Sequence, residues 1–170
     1  MKKNSQLVTF LGNPMTLIGE QVKVGDKAPN FTVLGNDLKP IELANFENSI
    51  RIISAVHSVD TGICAQQTKR FNQAAANLEN VSIITISCDL PFAMKRFCGA
   101  EGIEKVVTAS DHKNTDFSIK YGLLIEELRL TARAVIVVDK DDTVRHVEIV
   151  REIASEPDYD KALEVVKSLL

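Results

Sequence analysis

Three cysteines, Cys64, Cys88 and Cys98, are the residues of this 170-residue chain whose type could support redox chemistry. Three is a small and odd number for a structural disulfide framework, and their spacing does not match a zinc site. Each is therefore expected to be a nucleophile, a redox sensor or a small core residue, depending on its surroundings.

Cys64 has the position best suited to a nucleophile. An apolar, β-branched run over 50–56 predicts a buried strand, and a helical pattern follows over about 62–78. Asp60 and Thr61 are residue types that cap helices, which places Cys64 in the first turn, where the helix dipole favours a thiolate. The dipole contributes about 0.3–1 kcal/mol, less than one pKa unit, so strong activation also requires a cation or several hydrogen bonds.

Arg133 is a candidate for that cation, because it directly precedes a predicted strand over 134–139. It would lie beside Cys64 only if this strand ran antiparallel to the strand over 50–56 and close to it. Otherwise Arg133 is an ordinary strand-end arginine with its head in water, just as Cys64 could be a small helix residue and nothing more.

The other two cysteines differ in their expected roles. Cys98 lies in a second predicted helix, and it could form a reversible disulfide with Cys64 if local unwinding brought the two Cα atoms within about 7 Å. Cys88 follows a buried strand, next to Asp89, which is interpreted as the cap of that second helix. Cys88 is therefore predicted to be a structural or incidental thiol.

The elements that must position these residues alternate along the chain. The predicted segments are hairpins over 8–18 and 31–43, strands over 50–56, 81–87 and 106–108, helices over 62–78, from about 91 and over 115–121, a closing hairpin over 134–150 and a final helix from 157. This order predicts an α/β, thioredoxin-like fold with a mixed central sheet flanked by helices and an N-terminal β-hairpin. Without a linker or repeat, residues 1–170 are expected to form one domain.

Composition excludes several functional classes. The net charge is −3 and the basic residues are scattered, so no nucleic-acid surface is expected. No apolar run approaches the roughly 20 residues of a membrane span. The Lys2-Lys3 pair is followed by a short apolar segment that Gly12-Asn13-Pro14 interrupts, unlike a signal peptide. We therefore expect a cytoplasmic protein.

Motifs spread over the whole chain then point to one family. They lie at residues 8–14, 25–31, 60–64, 89–93, 96–102, 130–135 and 156–158. Together they resemble the bacterial thiol peroxidases, a branch of the atypical two-cysteine peroxiredoxins. This resemblance implies that Cys64 is the peroxidatic cysteine and Cys98 the resolving cysteine, whereas Cys88 has no counterpart. It also implies substrate contacts at Thr61, Ile63 and Arg133.

The resemblance implies a complete reaction cycle as well. Hydrogen peroxide and organic hydroperoxides would oxidise Cys64 to a sulfenic acid, which Cys98 would convert to an intramolecular disulfide. Thioredoxin would reduce that disulfide, and the protein would be a homodimer. No metal or organic cofactor enters this cycle.

His57 departs from the family pattern, Pro-x-x-x-Thr-x-x-Cys, because it stands where the proline would be. Its ring could pair with the Cys64 thiolate, fail to shield the sulfur from water, or face outward without a role. A metal site of His57, Asp60 and Cys64 is also conceivable, although it is short of a standard ligand set. The departure leaves an alternative function open: a peroxide sensor, or an activity-impaired interaction protein.

Overall fold

The computed structural model describes residues 1–170, which form two β-sheets and four α-helices. The strands are β1 (Lys3–Phe10), β2 (Asn13–Ile18), β3 (Thr32–Gly35), β4 (Pro40–Glu42), β5 (Ile50–Ala55), β6 (Val81–Ser87), β7 (Val107–Ser110), β8 (Leu124–Ile125), β9 (Leu130–Thr131), β10 (Ala134–Val138) and β11 (Val144–Ile149). The helices are α1 (Gly62–Ala75), α2 (Pro91–Glu101), α3 (Asp116–Lys120) and α4 (Tyr159–Leu169), with a 3-10 turn at Leu43–Phe46.

The main sheet has seven strands in the order β11-β10-β5-β6-β7-β3-β4. Its centre is parallel, since β5 pairs with β6 and β6 with β7 in the same direction. Strands β10 and β11 continue it antiparallel on one side, and β3 and β4 do so on the other. The predicted mixed sheet is therefore confirmed.

Both faces of this sheet are covered. Along β5 the side chains alternate, so that Ile53 and Ala55 pack in one core and Ile50 and Ile52 in the other. The second core receives the apolar faces of α1, α2 and α4. A continuous apolar run such as β5 is typical of a strand that is buried on both sides.

A smaller sheet, in the order β1-β2-β8-β9, extends the predicted N-terminal hairpin. The hairpin itself begins earlier than predicted, at Lys3. Strands β8 and β9 were not predicted, because each has two residues and such a segment shows no periodicity. No helix in the chain combines the length and the apolar character that crossing a membrane requires.

One predicted cap is wrong. Leu90, not Asp89, is the N-cap residue of α2, and its side chain accepts no capping hydrogen bond. The Asp89 carboxylate instead accepts hydrogen bonds from the Ser58 hydroxyl and the Val59 backbone N–H, both at 2.8 Å. Asp89 therefore fixes the loop that precedes α1, because its carboxylate finds two donors there and none at its own helix.

Candidate active site

Cys64 lies in the first turn of α1, as predicted. The helix begins at Gly62 with Thr61 as N-cap residue, and its first hydrogen bond runs from the Ala65 N–H to the Thr61 carbonyl. The side chain of Cys64 is completely buried. The sulfur is thus held close to the positive end of the helix dipole and away from bulk water.

Arg133 reaches Cys64 because β10 runs antiparallel to β5 and next to it. The register pairs Ala134 with Ala55, which brings the residue before β10 to the end of β5 where the Cys64 loop begins. Arg133 is fully buried, and its Nη2 donates a hydrogen bond to Cys64 Sγ at 3.1 Å. The alternative of a strand-end arginine with its head in water does not hold.

Gln67 fixes the direction of this arginine, and sequence reasoning missed it. Its side-chain oxygen accepts a hydrogen bond from Arg133 Nη1 at 2.7 Å, while the Ile153 carbonyl accepts one from Arg133 Nε at 2.7 Å. Gln67 Nε2 in turn donates to the Ser54 hydroxyl at 2.7 Å. Its position three residues after Cys64, on the same face of a helix, was the available clue.

His57 points to the sulfur rather than to solvent. Its Nδ1 lies 3.4 Å and its Nε2 3.8 Å from Cys64 Sγ. The imidazole is 6% exposed and packs against the Phe10 ring, with 5.9 Å between the ring centroids. Asp60 does not join the two, because it is exposed and its carboxylate faces Arg96 at 3.7 Å, so the conceivable metal site is not assembled.

Thr61 occupies the N-cap position, but its hydroxyl does not cap the helix. The hydroxyl donates to the Ser58 carbonyl at 3.0 Å, although it also lies near enough to the sulfur to lower the Cys64 pKa. A hydroxyl has one proton, so it can serve the carbonyl or the thiolate at any moment.

The surroundings of Cys64 favour the thiolate. Burial raises the pKa of the thiol, but hydrogen bonds from His57 and Thr61, together with the charge of Arg133, lower it from 9.0 to about 6. Most Cys64 side chains are thus ionised at neutral pH. The pKa of Cys88 changes in the opposite direction, because burial raises it. The Cys88 sulfur lies 3.5 Å from the Thr131 hydroxyl.

A cavity of about 460 Å³ opens in front of this cluster. Its walls combine apolar and polar groups and are formed by Phe10, His57, Thr61, Gly62, Ile63, Gln66, Arg133 and Ala154. The cavity therefore contains the three predicted contact residues Thr61, Ile63 and Arg133. Phe10 and Ile63 provide apolar surface against which an organic substituent can pack.

Glu152 ties the N-terminal hairpin to the rim of this cavity. Its carboxylate accepts hydrogen bonds from the backbone N–H groups of Gly12 and Leu11, both at 3.0 Å, and from the Thr9 hydroxyl at 2.8 Å. These hydrogen bonds lower the pKa of Glu152 to about 2, and the bond from the Gly12 N–H has the largest effect. The hairpin that carries Phe10 is thus anchored beside the active-site loop.

Cys98 lies outside this cluster, on α2. Its half-buried sulfur is 3.3 Å from the Thr108 hydroxyl and 3.9 Å from Asn36 Nδ2, and it lines a separate cavity of about 280 Å³. All three cysteines are free thiols. The structure therefore does not bring Cys64 and Cys98 into contact.

A buried cysteine at the start of a helix, in hydrogen-bond contact with a buried arginine on a thioredoxin-like sheet, is the arrangement of a cysteine-dependent redox protein. The model of the Redoxin family matches residues 23–163, and the chain belongs to this family.

Relatives and solved structures agree with this assignment. The chain is 55% identical over 163 residues to the thiol peroxidase of Halalkalibacterium halodurans, covering 96% of this chain and 98% of that protein. It is 50% identical to the thiol peroxidase of Bacillus subtilis, with the same two coverages. A peroxiredoxin-like protein from Aquifex aeolicus superposes with a TM-score of 0.92 at 41% identity, over 97% of this chain and 98% of that one. The predicted thioredoxin-like fold and the resemblance to bacterial thiol peroxidases are confirmed.

Proposed function

We propose that this chain is a thioredoxin-dependent thiol peroxidase that reduces hydrogen peroxide and organic hydroperoxides, with residues 1–170 acting as one domain. The observation that carries the proposal is the 3.1 Å hydrogen bond from Arg133 Nη2 to the Cys64 sulfur behind an open cavity. Relatives that share about half of this sequence are thiol peroxidases. Thiol-dependent peroxide reduction is therefore the activity that family membership supports.

In the proposed first step, the Cys64 thiolate attacks the terminal peroxide oxygen and becomes a sulfenic acid. Negative charge then moves onto the leaving oxygen. Arg133 and Thr61 line the cavity and are positioned to donate hydrogen bonds to that oxygen, which is the usual way in which fixed donors stabilise developing charge. Ile63, on the same wall, would contact the organic part of a hydroperoxide.

In the proposed second step, Cys98 attacks the Cys64 sulfenic acid to form an intramolecular disulfide with loss of water. The two thiols lie on different helices, Cys64 fully buried on α1 and Cys98 on α2 in the wall of a separate cavity, so α1 or α2 must loosen locally. A disulfide formed in this way is strained and therefore easily reduced, which suits reduction by thioredoxin. We include a homodimer in the proposal on the strength of the family resemblance.

Single-turnover kinetics of three cysteine variants test the proposal. Cys64→Ser should abolish peroxide consumption, and Cys98→Ser should consume one peroxide per subunit and then stop. Cys88→Ser is the matched control, since Cys88 lies outside both cavities, and it should cycle at the wild-type rate with thioredoxin. Steady turnover by Cys98→Ser would contradict the intramolecular disulfide, and a normal disulfide that thioredoxin fails to reduce would favour a peroxide sensor.

A further inference from the structure

Three side chains act on the Cys64 sulfur and also line the cavity in front of it: His57, Thr61 and Arg133. A peroxide that reaches the sulfur through this cavity must pass along them. Arginine does not release its proton in proteins, and an aliphatic hydroxyl is a very weak acid. An imidazole can both accept and release a proton at its ring nitrogens, so His57 is the one of the three that can transfer a proton.

On the basis of the thiol peroxidase function proposed above, we propose that His57 is the general acid–base of this site. It takes the proton of the Cys64 thiol and returns it to the oxygen that leaves the peroxide. A proline at this position would shield the sulfur from water, whereas His57 transfers a proton. It is a catalytic residue in this scheme, because it contacts the reacting sulfur.

The proton and electron balance of this step is complete. His57 first accepts the Cys64 thiol proton, which leaves a thiolate beside an imidazolium. The sulfur then forms an S–O bond with the terminal peroxide oxygen, which keeps its hydrogen, while the O–O bond breaks. Sulfur is oxidised by two electrons, the O–O bonding pair leaves on the alkoxide or hydroxide, and the imidazolium protonates that anion to an alcohol or water.

The position of the ring suits both transfers. The two ring nitrogens lie at 3.4 and 3.8 Å from the sulfur, so both are close to Cys64 and Nδ1 is the nearer. Phe10 packs against the ring with an angle of 57° between the ring planes, which limits how far the ring can turn. His57 also lines the cavity, so its ring is close to the place where a leaving oxygen next to the sulfur would lie.

The charged groups around His57 are few. Cys64 faces it from α1, and Arg133 shares the cavity wall from the start of β10. The neighbour from β1 is the uncharged Phe10. The nearby carboxylates are bound elsewhere, since Asp60 faces Arg96 and Asp89 accepts hydrogen bonds from the Ser58–Val59 segment.

Proton donation predicts a dependence on the leaving group. Hydroxide and alkoxide are poor leaving groups and need a proton as the O–O bond breaks, whereas a carboxylate leaves without one. Removing the donor should therefore slow the reaction with hydrogen peroxide and cumene hydroperoxide much more than the reaction with peroxyacetic acid. A residue that only orients or ionises Cys64 would affect all three reactions equally.

The experiment measures single-turnover oxidation of the full-length reduced protein by these three peroxides. The variants are His57→Asn and His57→Gln, which keep an N–H donor but cannot titrate, and each rate is divided by the thiolate fraction measured from ultraviolet absorbance. We expect a loss of about 100-fold with hydrogen peroxide and cumene hydroperoxide, and a rate near wild type with peroxyacetic acid. His112→Asn, on the exposed surface, is the matched histidine control and should match the wild type throughout.

Each outcome decides the question. An equal loss with all three peroxides, or no loss with any of them, overturns proton transfer by His57. His57→Pro adds a second test, since higher activity with proline would favour lost shielding and lower activity favours a working histidine. Failure of the underlying function is distinct, because wild-type Cys64 would then remain unoxidised by all three peroxides.

Discussion

Gln67 holds Arg133 in the orientation that reaches the sulfur: its side-chain oxygen accepts a 2.7 Å hydrogen bond from Arg133 Nη1, and both side chains are fully buried. The Ile153 carbonyl accepts a hydrogen bond from Arg133 Nε, and Nη2 is directed to the Cys64 sulfur. A buried guanidinium that is fixed by three hydrogen bonds, one from each nitrogen, has little freedom to move. The helix dipole alone is too weak to ionise Cys64 fully, and the additional positive charge comes from Arg133. The neutral side-chain amide of Gln67 holds that arginine in position.

Replacing Gln67 with methionine tests this support. The change keeps the volume but removes the acceptor, so we expect the Cys64 pKa to rise and its oxidation by hydrogen peroxide to slow about 10-fold. That estimate corresponds to the lower end of a hydrogen bond to a charged group, about 1.5 kcal/mol. Stopped-flow oxidation and a thiolate titration measure both effects.

The control for that substitution is Gln73→Met, on the exposed side of the same helix. Gln73 makes no side-chain contact with the arginine, so its variant should match the wild type in rate and in Cys64 pKa. If Gln67→Met also matched the wild type, Arg133 would not depend on the amide for its orientation.

Substituting lysine for Arg133 separates charge from geometry. An ammonium keeps the charge but lacks the planar fork, so it cannot bind Gln67, the Ile153 carbonyl and the sulfur together. We expect about 100-fold slower peroxide oxidation, as for the loss of one fixed donor at a site of developing charge, together with a raised Cys64 pKa.

The exposed Arg151 provides the comparison for this change, and Arg151→Lys should leave the oxidation rate unaltered. Wild-type kinetics in Arg133→Lys would mean that positive charge alone is sufficient at this position.

The predictable part of the site follows from local patterns. The apolar run of β5 and the helical pattern after it predict Cys64 in the first helical turn, where the structure has it. The placement of Arg133 beside Cys64 could be predicted only on a condition, because the two residues are 69 positions apart. Their contact depends on a strand pairing that no local pattern specifies. The same limit explains Asp89, whose local preference for a cap is overridden by donors from another loop.

The lowered pKa of Cys64 predicts a pH-dependent stability. Between about pH 6 and pH 9 the folded chain has released the Cys64 proton and the unfolded chain has not, so the unfolded state binds more protons and stability rises with pH. The free energy of unfolding of wild type minus that of Cys64→Ser should increase over this range by at most about 4 kcal/mol, and the increase is lost as pH falls through 6.

Denaturant unfolding under reducing conditions measures this difference. Cys88 provides the matched control, since burial raises its pKa, and the difference between wild type and Cys88→Ser should not increase over the same range. A pH-independent difference for Cys64→Ser would show that its thiol is not ionised preferentially in the folded state.

The environment of Cys98 leads to a prediction about the second step. The Thr108 hydroxyl, on β7, donates a hydrogen bond to Asn36 Oδ1 at 3.1 Å and lies 3.3 Å from the Cys98 sulfur. This small hydrogen-bond network holds the reduced Cys98 thiol next to β7. Thr108→Val removes the hydroxyl from this network, and we expect disulfide formation after peroxide addition to become about 2- to 12-fold faster, in line with one neutral hydrogen bond of about 0.5–1.5 kcal/mol. Rapid thiol trapping with mass spectrometry follows the disulfide, and the preceding oxidation of Cys64 is the internal control, since it should keep its wild-type rate. An unchanged or slower disulfide step would mean that the network does not restrain Cys98 before it attacks.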